Sequence, residues 1–418
     1  MKAGQDRIRN LVINSFRAVG AENEARFYIK VFRSRRPHRF AVILLDPRLT
    51  HLELEMFAIQ LAFLSELGLT PIVLHEGVLN RGGRRRKDGV DALHETLVAS
   101  WNLKGIPVVS FLEEDERDSR PNLSGIRRAT RSGQVPLVPI STSGTGTPKR
   151  KESVRSEFLK WIVAELKPFK VLYVTPEAGL VTREGRILSN VNLRLDPPLA
   201  LQKELSRVSA LLFGEILSLL EVAPPPLVVQ VTGAEGFLEE LFTQRGKGTL
   251  VKRGAEIVRH EDFSTLSRGR FSSMLGRAFG VPLRRIYHSR SFNRRYPIRS
   301  IFLERGYRGG AVVRSAGEWE YLDKFAVLPA ARGEGLARDL WRTLLEYHDK
   351  FFWRSRASNP VNQWYYREAD GMMRRGGWFY WWRGIPPSEM ARLLPILDDI
   401  PDTLAQKDSP KGKKGRGS

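Results

Sequence analysis

The chain has no cysteine in its 418 residues, which excludes a disulfide scaffold and any thiolate chemistry of its own. No apolar run approaches the roughly 20 residues needed to cross a bilayer. Its histidines (His38, His51, His75, His94, His260, His288 and His348) show no metal-ligand spacing, so no metal is expected. Negative charge is the scarcer sign, with 46 Asp and Glu against 68 Lys and Arg. Such an excess suits either nucleic acid or an anionic small molecule steered by a basic surface. The basic residues are dispersed, clustering only at 81–87 and 411–416, and no nucleic-acid module stands out. We therefore expect small-molecule substrates, with no specific nucleic acid and no membrane partner. The absence of cysteine fits a reducing compartment, and the basic first 20 residues include Asp6 and no cleavage pattern. The expected location is the cytoplasm.

What is present is an alternation. Residues 1–33 read as an amphipathic helical segment, and 33–39 as a basic connection. Apolar strands are expected at 40–45, 70–75, 106–111, 136–140, 170–175 and 227–232. Helices are expected at 51–68, 153–166 and 199–221. Such alternation argues a parallel sheet covered on both faces. The basic, glycine- and serine-containing stretches 127–132 and 141–149 read as loops. A polar stretch at 253–268 reads as a linker. A second α/β region follows, with a helix at 269–279, strands at 298–304, 310–314, 321–328, 350–354 and 377–382, and a helix at 361–370. The tail from 401 to 418 reads as disordered.

The organising stretch is the strand 321–328, then Arg332-Gly-Glu-Gly-Leu-Ala337, then a helix marked by Leu336, Leu340 and Leu344. Strand, glycine turn and helix start aim unpaired N–H groups and a positive dipole end at one point, which suits a pyrophosphate. The spacing Arg332-x-x-Gly335-x-Ala337 is similar to the acetyl-CoA loop of GNAT acetyltransferases. Tyr321-Leu-Asp-Lys-Phe325, Phe352-Trp-Arg-Ser-Arg356 and Asn359-Pro-Val-Asn-Gln-Trp-Tyr-Tyr366 resemble the N-acetylglutamate synthase domain of vertebrates and of bacterial fused synthase/kinase proteins. Residues 34–252 resemble the amino-acid kinase fold, specifically acetylglutamate kinase, through Phe40-Ala-Val42, Gly68-Leu-Thr-Pro-Ile-Val-Leu-His75, Glu240-Leu-Phe-Thr243 and Gly246-x-Gly-Thr-Leu250.

The resemblance implies a three-layer amino-acid-kinase-like domain with a parallel-rich sheet over 34–252, followed by a GNAT α/β domain over 269–400. It implies an acetyl-CoA:L-glutamate N-acetyltransferase of arginine biosynthesis. The implied acetyl-CoA contacts are Phe325, Ala326, Val327, Arg332, Gly333, Glu334, Gly335, Leu336 and Ala337. Acceptor contacts would be Tyr321, Lys324, Arg354, Arg356 and Asn359, with Tyr365 protonating the departing thiolate. A possible arginine effector site would use Glu240, Gly246 and Gly248, and a homo-oligomer would form through the kinase-like domain.

Kinase chemistry is not expected. The family's Lys-x-Gly-Gly is replaced by Leu44-Leu-Asp-Pro47, its His-Gly-Gly-Gly by His75-Glu-Gly-Val78, and its Asn-x-Asp by Arg155-Ser-Glu157. An apolar side chain then replaces the phosphate-binding cation, and Pro47 removes a donor. One departure touches the acceptor: Val281 stands where the synthase domain carries a basic residue, with Arg284 or Arg285 as replacements. It keeps open an acetyltransferase for another amino acid or a protein amine; the non-enzyme alternative is an arginine-sensing or scaffold protein. No dedicated base is evident, although a water chain could end at a carbonyl or at Asp323.

Overall fold

The computed structural model describes residues 29, 32–33, 36–76, 89–111, 120–140, 148–224, 227–242, 247–331, 335–359 and 361–405. The chain divides into two compact units, Met1–Arg253 and Gly254–Ser418. Of the amphipathic segment expected at 1–33, only Ile29, Phe32 and Arg33 are described, and Ile29 and Phe32 are buried in the first unit's core. The remainder of that segment, and 406–418, lie outside the described residues.

The first unit runs β1 (Ala41–Leu45), α1 (His51–Glu66), β2 (Ile72–His75), α2 (Gly89–Leu103), β3 (Val108–Ser110), α3 (Leu123–Arg131), β4 (Val135–Pro139), α4 (Pro148–Leu166) and β5 (Lys170–Val174). It continues through β6 (Asn190–Asn192), α5 (Pro198–Glu204), α6 (Arg207–Val222), β7 (Val228–Thr232), α7 (Phe237–Phe242) and β8 (Thr249–Lys252). The sheet order is β3-β4-β2-β1-β5-β7-β8-β6, and its pairs are parallel except β7 with β8. Central strands buried on both faces explain the continuous apolar run Ala41-Val-Ile-Leu-Leu45. Ile43, Leu45 and Val73 pack against α1 and α7 on one side, while Val42, Leu44 and Tyr173 pack against α4 and α6 on the other. This is a three-layer sandwich. Helix α1 starts where its sequence says it should: Thr50 Oγ1 accepts the Glu53 N–H, and Glu53 accepts the Thr50 N–H at 2.7 Å.

Two expectations in this unit are corrected. The single helix expected at 199–221 is two, because extended Leu205 and the Ser206 cap interrupt it; the Ser206 hydroxyl accepts Ser209 N–H and restarts the helix. Arg127–Arg131, expected as loop, is the end of α3, where Asn122 caps the first turn and Ile126 and Ala129 are buried. The helical period there rests on small and β-branched residues among arginines, so composition hid it.

His75 is buried at the end of β2, with Nε2 2.8 Å from His94 Nδ1. Burial, then the His94 charge, pushes its pKa down to about 3. The folded form is therefore a weaker base than the unfolded chain, whose histidine titrates near 6.5. Stability is complete above pH 6.5 and falls as the pH drops toward 3, at about 1.4 kcal/mol per unit. Unfolding of the first unit should cost about 2 kcal/mol less at pH 5 than at pH 7. Urea titrations at the two pH values check this, with His75→Leu expected to flatten the difference.

The second unit runs β9 (Ile257–His260), α8 (Arg268–Phe279), α9 (Arg290–Arg295), β10 (Ile298–Glu304), β11 (Gly309–Ala316), β12 (Trp319–Val327) and α10 (Leu336–Leu345). It ends with β13 (Phe351–Arg356), α11 (Asn362–Glu368), β14 (Gly371–Arg375), β15 (Trp378–Arg383) and α12 (Met390–Asp399). The order is β14-β15-β13-β12-β11-β10-β9. The stretch expected as a linker at 253–268 therefore holds an edge strand: Ile257–His260 pairs antiparallel with β10. Its charged, half-exposed pattern is that of an edge strand, which a search for apolar periodicity passes over. The disorder expected from 401 onward is corrected for 401–405. Leu404 bridges Leu283, Ala405 N–H donates to Pro282 O, and Thr403 is buried.

Candidate acetyl-transfer site

The sheet of the second unit opens in its middle. Strands β12 and β13 are parallel neighbours, but they pair only at Tyr321–Phe352 and Leu322–Trp353. Beyond those positions β13 continues with β15 alone. On the other flank β12 keeps pairing with β11 to Val327. Leu328 N–H donates to Arg308 O, so alternation turns Ala326 toward β11 and turns Phe325 and Val327 toward the opening. A splayed pair of strands presenting backbone N–H groups can hold a developing oxyanion.

A bulge builds the floor of one face. Val312 pairs with Lys324 and Val313 with Leu322, so Asp323 is the extra residue. Its effect is to place Asp323 and Lys324 on the same side as Tyr321, while Phe325 joins Leu322 on the opposite side. Arg314 from β11, fully buried, donates Nε to Asp323 at 2.7 Å and Nη1 to Asn293 Oδ1 and to Tyr296 O. Lys324 donates to Asp323 and to Thr403 Oγ1. Burial alone would raise the Asp323 pKa, but Lys324 and Arg314 outweigh it and hold the carboxyl below its ordinary value. Clamped between two cations, Asp323 is no terminus for a proton from the acceptor, which corrects that expectation. Burial lowers the Lys324 pKa against the pull of Asp323.

Arg354 and Arg356, two residues apart on β13, both lie over the Trp378 ring, at 4.4 and 3.9 Å. Arg354 is half-buried, and its Nη1 and Nη2 donate to Ile400 O and Pro401 O at 2.8 and 2.7 Å. Arg356 is exposed and pairs with Asp402. Tyr321 is buried and stacked on Phe352. Burial raises the pKa of its phenol, against the Arg354 charge. Among the described residues, Arg314, Lys324, Arg354 and Arg356 face two carboxylates, Asp323 and Asp402. The four cations thus exceed the two carboxylates by two charges, and Arg354 alone of the four pairs with neither; a ligand carrying two carboxylates would balance the excess.

Asn359 has a different place from the other expected acceptor residues: its Oδ1 accepts Val361 N–H in a turn leading into α11. Of the basic replacements for Val281, Arg284 reaches Asp402 O at 3.1 Å, while both Arg284 and Arg285 are exposed. Arg314, Tyr287 and the 400–405 segment escaped the sequence reading. A lone arginine within the apolar run Gly310-Ala-Val-Val-Arg-Ser315 was the available signal for the first.

The opposite face carries the other elements. Helix α10 follows Gly335, which adopts φ +73°, and no side chain caps its first turn. Arg332, Gly333 and Glu334 lie outside the described residues; Gly335 precedes the helix, and Leu336 and Ala337 are its first residues. Helix α11 crosses the opening, with Trp364 stacked on Phe325 of β12 at 5.3 Å and Tyr365 packed on Trp353 of β13 at 5.5 Å. Tyr365 is buried among Trp353, Trp364 and Trp381, and that burial raises its phenol pKa. It therefore stays protonated throughout the neutral range and can donate to negative charge on sulfur.

In the first unit, Glu240 and Gly248 of the expected effector site touch each other. Glu240 is buried, Oε1 accepts Gly248 N–H at 2.6 Å and Oε2 accepts Gln230 Nε2 at 2.9 Å. Burial raises its pKa against those bonds. A side chain at Gly248 would collide with Val231 O. Gly246 lies outside the described residues. At the C-terminal ends of β1, β2 and β5, Arg48 pairs with Asp46 and Glu177, and Arg155 with Glu76 and Glu215.

Residues 259–400 match the family model described as NAT, N-acetyltransferase, of N-acetylglutamate synthase. A Xanthomonas campestris pv. campestris protein named acetylglutamate kinase is 29% identical over 404 residues, covering 86% of this chain and 93% of that one. The mitochondrial N-acetylglutamate synthase of Mus musculus is 31% identical over 252 residues, covering 59% of this chain and 47% of that one. A solved N-acetylglutamate synthase from Neisseria gonorrhoeae, complexed with coenzyme A and N-acetyl-glutamate, is 17% identical with a TM-score of 0.49, covering 91% of this chain and 97% of that one. The chain thus joins an amino-acid-kinase-like region to an N-acetyltransferase domain of the N-acetylglutamate synthase type.

Proposed function

We propose that the chain transfers the acetyl group of acetyl-CoA to the α-amine of L-glutamate, giving N-acetyl-L-glutamate for arginine biosynthesis. The observation that carries this reading is the excess of two positive charges on one side of a splayed sheet whose other side offers the helix start at Gly335 and Tyr365. Lys324 and Arg354 receive the acceptor's carboxylates, Arg356 assists, and the amine is aimed through the opening. The amine must first lose a proton, at a cost of about 1–4 kcal/mol at neutral pH for an ordinary ammonium. Phe325 and Val327 N–H stabilise the tetrahedral oxyanion, and Tyr365 protonates the sulfur as the carbon–sulfur bond breaks. Steady-state acetylation of a panel of amino acids and a lysine peptide tests the assignment: glutamate should lead by orders of magnitude.

The kinase-like unit is proposed to serve regulation and assembly in the cytoplasm. Exposed Leu199, Val208, Leu211 and Val222 on α5 and α6 support an assembly role. Arginine is its proposed effector at Glu240, Gly246 and Gly248, where a guanidinium would have to exchange with the bonds from Gly248 and Gln230. Among the described residues no helix is long and apolar enough to cross a membrane.

Relatives named acetylglutamate kinase make phosphoryl transfer the second reading. Against it stand Asp46, Glu76 and Glu177, carboxylates just past the strand ends, with Glu215 of α6 beside them; each is paired with an arginine. The purified chain with ATP and N-acetylglutamate should release no ADP above background. A coupled assay showing turnover that depends on N-acetylglutamate would restore the kinase.

A further inference from the structure

The segment 400–405 lies across the acceptor cluster. It is anchored by Arg284 N–H to Thr403 O and Ala405 N–H to Pro282 O, each at 2.9 Å. From that anchorage it meets three of the cluster's cations in different ways. Arg354 receives two backbone carbonyls, from Ile400 and Pro401, and Lys324 receives the Thr403 hydroxyl. The carbonyls orient Arg354 without cancelling its charge, whereas Lys324 also pairs with the Asp323 carboxylate. Arg356 alone receives a carboxylate from the segment, that of Asp402.

We propose that Asp402 is a specificity-determining residue: its carboxylate, carried onto Arg356 by the segment 400–405, stands in for the acceptor's second carboxylate and gives way only to an acceptor that has one. The proposal rests on the acceptor reading above. The exchange is chemically close to even, because one carboxylate replaces another on the same guanidinium and the Arg356–Asp402 pair is partly open to water, with side chains 47% and 26% exposed. An amino acid with a neutral side chain offers Arg356 nothing in return for Asp402. It would have to bind beside a pocket wall that keeps its own charge. A dicarboxylate displaces Asp402 into solvent, sets one carboxylate on Arg354 beside Lys324, and gives the other to Arg356. Discrimination then arises from a built-in competitor rather than from added attraction alone.

Asp402→Asn removes the competitor while keeping the shape. It should lower the Michaelis constant for glutamate about fivefold and reduce the glutamate-to-glutamine ratio of kcat/KM about tenfold, with the acetyl-CoA constant unchanged. Asp402→Glu should keep wild-type discrimination. In an Arg356→Ala background the Asp402→Asn change should have no further effect. If Asp402 were only a wall of the pocket, Asp402→Asn would raise the glutamate constant or leave it alone, and either result overturns the proposal. A second readout does not depend on turnover. Amide exchange at Arg284 and Ala405 in the wild-type chain should quicken severalfold on adding saturating glutarate, and not on adding butyrate. Unchanged exchange with glutarate also overturns the proposal. A wild-type chain that fails to acetylate glutamate would refute the acceptor reading itself, and the glutarate response would still decide whether Asp402 yields to a dicarboxylate.

Discussion

Arg354→Ala should raise the Michaelis constant for glutamate roughly 30- to 1000-fold, equivalent to about 2–4 kcal/mol, a size typical of truncating one partner of a buried, hydrogen-bonded charge pair. The reasoning is local. Arg354 is half-buried, stacked on Trp378, and fixed by two carbonyls that leave its charge intact. Its removal leaves an acceptor carboxylate desolvated and poorly paired. The acetyl-CoA constant should stay within a few-fold, since the start of α10 packs on the other face. Arg356→Ala should cost less, because Arg356 is exposed and solvent screens its interactions. Lysine at either position should restore part of the loss, a point charge replacing a planar fork. Kinetics with the two substrates varied separately make the distinction. Wild-type glutamate kinetics in both alanine variants would assign the arginines to surface charge.

Tyr365→Phe should slow turnover about 10- to 1000-fold and leave both Michaelis constants nearly unchanged, the pattern of a group that acts as a general acid after binding. The fold stays intact because the ring keeps its packing against Trp353, Trp364 and Trp381. The sign of the burial effect also matters. A phenol pushed above its ordinary value near 10 remains a donor at every pH where the enzyme would work. Ionisation of Tyr365 therefore should not produce the alkaline limb of the kcat profile below pH 10. Full activity in Tyr365→Phe would make the residue a packing element and move protonation of the thiolate to water.

Much of the architecture was legible because burial writes itself into sequence. The runs at β1, β2, β5 and β7 are apolar because both faces are covered, and α1 announces its start with Thr50 and Glu53. Of the candidate site, the elements that coincide with a motif were legible: the strand 319–327, the helix that starts at Leu336, and the strand that carries the paired arginines. What stayed hidden has two physical causes. Strict alternation would put Lys324 on the face of Leu322, and only the bulge at Asp323 returns it to the face of Tyr321. No local pattern signals that register shift. The other cause is distance along the chain. Tyr287 and the 400–405 segment meet Lys324 through tertiary packing, and the latter has the proline-bearing composition of a tail. Low hydrophobicity reads as disorder, yet here cations on the sheet hold the segment through its carbonyls and Asp402.

The central claim is that the cations around Lys324 and Arg354 hold a dicarboxylate acceptor while acetyl-CoA is attacked through the opened sheet. The most direct measurement follows both products at once, with CoA quantified by thiol release and N-acetyl-L-glutamate by mass spectrometry, in the wild-type chain and in Arg354→Ala. The predicted result is one N-acetyl-L-glutamate per CoA in the wild-type chain, with both lost together in Arg354→Ala at low glutamate and recovered together when glutamate is raised. CoA release without N-acetyl-L-glutamate, or equal yields from wild type and Arg354→Ala at low glutamate, would contradict it.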